Sequence, residues 1–473
     1  MVSGSTSVVI VGGGLSGTLA AINLLRSTAG QNISITLLNP TPAFGRGLAY
    51  GSADDHLLLN VPAGSMSAFA DQSSHFTAFC QRIDVSISAT TFMPRHLYGC
   101  YLEHCLSEAM AAYPGRLHLM VGEAHGVHPV ADGGGFMIKL LSGQYLASTH
   151  VVLALGHQRS RFPLPLGPVE HASVIEAWDF ERMSRLPSGV PLLILGTGHT
   201  AVDVLFHLER RVHPSTVWMA SRRGLVPQAH RLNVVPPAAS AYPAYLCEPS
   251  LRTRTIVRQV RQEVVRAAQE GCDWRDKLNE LRAHTPRLWQ ALPLIERQRF
   301  LRHVAAFWDI HRHRLAPSAA EQLGALIKAG AVQVLAARLL EVKNTSEDRQ
   351  AVKLKLRNQT SMHTLNVAAI INCTGSSTRI GPDSQPLLKQ LVKDGLVVPD
   401  PCDLGLQVND RLQVINAEGS VVQGLWYVGP MLKARDWEAT AAPELRAHAQ
   451  RLAENLATAI VNCSQSSLKL DIA

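Results

Sequence analysis

SVVIVGGGLSGTLAAINLLRSTAGQNISITLLNP, residues 7–40, decides how this chain folds. An apolar run from Val8 to Val11 stops at Gly12-Gly13-Gly14-Leu15-Ser16-Gly17, and a helical pattern from Thr18 to Leu25 leads to a second apolar run. Strand, glycine turn, helix and strand make one βαβ unit. In such a G-x-G-x-x-G, Gly12 permits the tight turn, Gly14 lets the backbone approach a pyrophosphate, and Gly17 lets the helix settle on the strand. Leu15 and Ser16 open a helix whose free amides and dipole attract phosphate. The acidic residue that usually ends the second strand is replaced by Asn39, which can still hydrogen-bond a ribose hydroxyl.

The pattern recurs in VPLLILGTGHTAVDVLFHLERRVHPSTVWMASRRG, residues 190–224. Here Gly196-Thr197-Gly198-His199-Thr200-Ala201 is a G-x-G-x-x-A, so Gly196, Gly198, His199 and Thr200 are expected to meet a second pyrophosphate. The second strand of this unit ends in Ser221-Arg222-Arg223-Gly224 with no acid. A 2′-phosphate repels carboxylates and suits guanidinium donors, which favours NADP(H) over NAD(H); a solvated turn is the other reading of the two arginines.

Two such units imply two bound dinucleotides and an α/β fold of two Rossmann-like domains, one inserted into the other. The expected segments are 1–156 for the first part of the outer domain and 157–247 for the first part of the inner one. A helical insertion or lid rich in Arg, Glu, Leu and Trp follows over 248–318. The inner domain resumes over 319–371 and the outer one over 372–473.

The 473 residues are enough for two or three domains and an enclosed cofactor. Apolar residues are 46% and charged residues 17%, with no run near the roughly 20 apolar residues of a membrane span. The start of the chain has no basic segment before its first strand, so a cytoplasmic address is expected. The net charge of +8 suits phosphate-bearing cofactors better than nucleic acid, because the basic residues are dispersed. RTRTIVRQVRQEVVRAAQ, residues 252–269, reads as a helix with a solvated basic face. The eight cysteines include no C-x-x-C, and no His/Cys cluster has metal spacing, so no metal is expected. Cys100 and Cys105 have the C-x4-C spacing of flavin disulfide reductases, but LYGCYLEHCLSEAM has helical spacing, and free buried thiols are favoured.

Other stretches are more particular: AFGRGLAYGSADDHLLLNVPAGSMSAF (43–69), SRRGLVPQAHR (221–231), WDIHRHRLAP (308–317) and ATAAPELRAHA (439–449). With the two glycine motifs, their order resembles the FAD-NAD(P)-binding flavoproteins of bacteria, related to class B flavin monooxygenases and N-hydroxylases. That resemblance implies FAD in the first unit and NADP(H) in the second. It implies that Arg46, Gly47, Tyr50, Leu59, Asn60, Val61 and Met66 lie along the FAD and that backbone at Val127 meets the adenine. Leu153-Ala154-Leu155-Gly156 is the exit to the inner domain, and Asn372-Cys373-Thr374-Gly375 is the return. Thr374, Gly375 and Gly429 are then beside the flavin, with Pro430 in place of the customary Asp.

The monooxygenase fingerprint is half present. Gly167 and His171 keep its spacing, while Pro165 and Ile175 replace its aromatics and Trp178 comes three residues late. His171 is therefore either functional or a linker residue. Trp308, Arg312 and Arg314 could clamp a substrate carboxylate or form a salt-bridged junction. The resemblance implies an NADPH-dependent monooxygenase acting with O2 on a small soluble metabolite such as an amine or amino acid. A flavin reductase or dehydrogenase and a redox-sensing or scaffold flavoprotein remain alternatives. The catalytic residues, substrate and oligomeric state are not readable from the sequence.

Overall fold

The computed structural model describes residues 6–28, 30–52, 54–130, 134–167, 173–232, 241–247, 252–346 and 349–470. No residue from Val8 to Val11 is more than 5% exposed. A strand covered on both faces belongs inside a parallel sheet, and strand Thr6–Val11 lies there. Across that sheet run Gln413–Ile415, Val421–Tyr427, His150–Leu153, Thr6–Val11, Ile33–Asn39 and Leu117–Val121, with only the first pair antiparallel. Helix Leu15–Ser27 is buried from Ser16 to Leu25 and packs against the terminal helix Ala442–Leu470.

The second sheet repeats this plan. Its order is Met362–Val367, Arg349–Leu356, Val332–Ser346, Thr216–Ser221, Pro191–Leu195, Ala369–Asn372 and Val174–Glu176. In both sheets the strand before the glycine turn lies between the next strand of its βαβ unit and a later, returning strand. Ala124–Pro129, Phe136–Leu140 and Tyr145–Ser148 form a separate three-stranded antiparallel sheet in the first unit, and the far half of Val332–Ser346 with its two partners extends the second sheet as an antiparallel arm. The first unit has one continuous apolar core, whereas the second has one on each face of its sheet.

Among the described residues, five helices fill 253–312, as the Arg- and Leu-rich pattern predicts. They share two small cores with the rest of the chain, one including Leu404, Ala434 and Trp437 and the other Leu246. No helix among the described residues is long and apolar enough to cross a membrane.

Candidate functional site

The two glycine turns meet the same obstacle. Gly12 has φ +112°, and a Cβ there would stand 2.4 Å from the carbonyl oxygen of Ala154, just past strand His150–Leu153. Gly196 has φ +125°, and its Cβ would stand 2.1 Å from the carbonyl oxygen of Cys373, just past strand Ala369–Asn372. Only glycine fits a left-handed turn pressed against a returning strand. Gly17 is needed for a different reason, since a Cβ there would overlap the Gly12 carbonyl at 1.8 Å. Gly198 faces open space, with nothing within 4 Å of its Cβ position, so a pyrophosphate has room above the second helix.

Around the first turn, Gly14 lies against Gly47, where a Cβ on Gly14 would be 3.4 Å from the Gly47 Cα. Arg46 is held there by Glu103, its Nε and Nη2 donating at 2.6 and 2.8 Å. Tyr50, half-buried, packs edge-on against Tyr98 at 4.8 Å. Leu59 and Met66 are in the core, Val61 packs against it, and the Asn60 carbonyl accepts from His230 Nε2 at 3.1 Å. Thr374 and Gly375 are exposed, with Gly375 at φ +93°. Gly429 has φ +142° and its turn is pinned by Tyr427, whose hydroxyl donates to Leu155 O (3.1 Å) and accepts from Met431 N (3.0 Å).

Two expectations change and one open choice narrows. The Asn39 carboxamide is engaged within the loop: Oδ1 accepts from Gly13 N–H at 3.0 Å and Nδ2 donates to Thr41 O at 2.8 Å. It shapes the turn rather than waiting for a ribose. Val127 is fully buried, and its N–H and C=O are both paired with the Gln390 carboxamide at 2.9 and 3.1 Å, so its backbone is not free for an adenine. Of the two readings of Trp308, Arg312 and Arg314, their contacts fit the salt-bridged junction. Trp308 Nε1 donates to Glu438 Oε1 (3.0 Å), Arg312 Nε pairs with Glu438 Oε2 (3.0 Å), and Arg314 Nη2 donates to Asn279 Oδ1 (2.5 Å). Both arginines are buried, and these contacts hold them within the protein. His171 lies outside the described residues.

At the second turn, His199 Nε2 donates to the His313 carbonyl at 2.9 Å. Burial, with a further push from Arg95, lowers its imidazole to about 4, so it is neutral near pH 7. Thr200 is half-buried beside it. Arg222 is exposed and has no hydrogen bond or ion pair among the described residues, whereas Arg223 donates to Arg302 O at 2.8 Å and lies 5.0 Å over the Phe307 ring. The sequence treats the two arginines alike; the fold does not.

Sequence reasoning also missed the seam between the units. Arg95 pairs with Asp203 at 2.7 Å and Asp54 with His207 at 3.1 Å, all four side chains being mostly buried. These pairs tie the second glycine helix, His199–Arg211, to the outer domain. It missed a charged group near the Gly429 turn as well. Lys433 lies 4.3 Å over the Trp437 ring, burial raises the Asp309 carboxyl while the Lys433 ammonium lowers it, and burial plus Lys433 lowers His157. No spacing in the sequence joins residues 157, 309 and 433.

The comparisons agree with this geometry. Residues 9–158 match the family model described as FAD-NAD(P)-binding. The first cradle is thus the matched dinucleotide segment. An L-aspartate N-monooxygenase (nitrosuccinate-forming) from Streptomyces cremeus is 30% identical over 169 residues, 30% of this chain and 25% of that protein. The chain therefore spans a quarter of that relative's length. The reduced form of ornithine hydroxylase from Pseudomonas aeruginosa shares the fold at TM-score 0.65 and 13% identity, over 97% of this chain and 100% of that one. L-Lysine 6-monooxygenase from Pseudomonas syringae does so at TM-score 0.65 and 18% identity, with the same coverage. The α/β plan of two dinucleotide domains is the fold of those enzymes.

Proposed function

We propose that the chain is a cytoplasmic FAD-dependent monooxygenase that uses NADPH and O2 to oxidise the nitrogen of a small amine or amino acid. The observation that carries the reading is the duplicated glycine cradle, each turn closed against its own returning strand. The proposed domain limits are 1–156 with 372–473 for FAD and 157–247 with 319–371 for NADPH, the insertion occupying 248–318. FAD, when bound, accepts hydride and passes electrons to oxygen; the protein's part is placement and exclusion of water.

Gly12, Gly14, Leu15, Ser16 and Gly17 would hold the FAD pyrophosphate, with Arg46, Gly47, Tyr50 and the 59–66 stretch along the cofactor and Thr374, Gly375 and Gly429 beside the ring. Gly196, Gly198, His199 and Thr200 would hold the NADPH pyrophosphate, and Arg222 the 2′-phosphate. Neutral His199 keeps its Nε2–H on His313, which fixes the start of the helix without adding a charge. Lys433, four residues past Gly429 and over the Trp437 ring, offers an ammonium that suits a substrate carboxylate.

The test is aerobic turnover with NADPH against a panel of amino acids and diamines, scoring N-oxidised product and peroxide separately. Product formed in step with NADPH use supports the reading. Peroxide matching NADPH with no product makes the chain an NADPH-driven reductase, and no NADPH use makes it a sensor or scaffold.

A further inference from the structure

The helical insertion, with Gln228 and Trp437, lines a half-open cavity of about 720 Å³ that no step above uses. Its size falls within the roughly 300–1,000 Å³ of small-molecule sites. One wall is the helix Thr253–Gln269, whose Ile256, Val257, Val260 and Val264 repeat at helical spacing and face the cavity. Such a stripe ordinarily packs against another element. Here it faces four of the chain's seven tryptophans across an apolar space: Trp274, Trp289, Trp308 and Trp437.

Among the polar groups on the lining, Gln228, Thr253 and Thr285 are neutral. No Asp or Glu lines the cavity among the described residues, whereas Arg261, His303 and His311 do. Arg261 is exposed and has no hydrogen bond or ion pair among the described residues. Phe307, on the lining, carries the Arg223 guanidinium 5.0 Å over its ring. An apolar hollow whose one standing charge is the Arg261 guanidinium fits a long apolar body ending in one negative charge.

We propose that this cavity binds an amphipathic carboxylate of fatty-acid type, its chain against the valine stripe and the tryptophans and its carboxylate at Arg261. No residue of either glycine motif lines the cavity, and the proposal does not depend on what the flavin does.

Calorimetric titration of the FAD-loaded full chain with dodecanoate, below its micelle concentration and at two temperatures, tests it. We expect one saturable site per chain, a negative heat-capacity change and a change in tryptophan emission. Val260→Trp, which fills the hollow, should weaken dodecanoate by at least about tenfold while flavin content and melting temperature hold. Arg261→Gln should weaken dodecanoate and leave dodecyltrimethylammonium unchanged; it is the deciding variant if Val260→Trp does not fold. Absence of saturable binding, equal affinity for the cationic amphiphile in the wild type, or binding indifferent to both variants overturns the proposal. So does a dimer in light scattering that Val265→Glu dissociates, since a second copy would then occupy the hollow.

Discussion

Arg222 and Arg223 are adjacent in sequence and differently placed in the fold. Arg223 is committed to the insertion through Arg302 and Phe307, and Arg222 projects free from the end of strand Thr216–Ser221. Arg222→Ala should therefore weaken NADPH far more than NADH, by about 1.5 to 3 kcal/mol or one to two decades in Kd. Arg223→Ala should change both nucleotides alike and loosen the insertion. Fluorescence titration of both cofactors with both variants checks this, and equal losses for Arg222→Ala would show that it touches no 2′-phosphate. At this scale the glycines were legible, because a positive φ beside a carbonyl leaves one residue type possible. Asn39 and Val127 were not, because Gly13 and Gln390 take their hydrogen bonds and only the folded chain brings those partners to them.

The helix Arg95–Ala112 holds both Cys100 and Cys105. At about 100° per residue, five positions place their side chains roughly 140° apart, too divergent for a disulfide without distorting the helix. Cys100 accepts from Arg46 Nη2 at 3.4 Å, while Cys105 is in the core, where burial pushes its thiol up to about 12. The double variant Cys100→Ser, Cys105→Ser should be reduced by NADPH at close to the wild-type rate and take up the same number of electrons. A wild type that accepts four electrons where the variant accepts two, in an anaerobic titration, would make the pair redox-active. The helix itself was legible from its apolar spacing. The basic helix Thr253–Gln269 was legible as a helix too, but its apolar face opens on a cavity, which periodicity cannot distinguish from a packed core.

Across the whole molecule, the two units meet through buried polar groups. His199 and His230, both near the seam, and His150, beneath the first sheet's arm, are each lowered to about 4 from 6.5, burial being the largest cause. These imidazoles stay neutral in the folded chain and gain a proton on unfolding between those values. Their contribution is complete above pH 6.5 and is lost as pH falls toward 4. The melting temperature should therefore drop across that window, and His230→Asn should make the drop shallower. A flat profile from pH 6.5 to 4 would show that these histidines are solvated. Architecture at this scale was legible because the two βαβ motifs and the return at Asn372 give the nesting in order along the chain. The ion pairs Arg95–Asp203 and Asp54–His207 join residues more than a hundred positions apart and leave no local signal.

In the proposed function two dinucleotides sit in the two glycine cradles, with the first able to take hydride from the second. Anaerobic titration of the purified protein with NADPH, followed by flavin absorbance, tests it most directly. We expect a yellow protein whose colour is bleached by about one equivalent of NADPH, and a Gly14→Glu variant that folds but carries no FAD. A wild type that purifies without flavin, or whose bound flavin NADPH leaves oxidised, would contradict it.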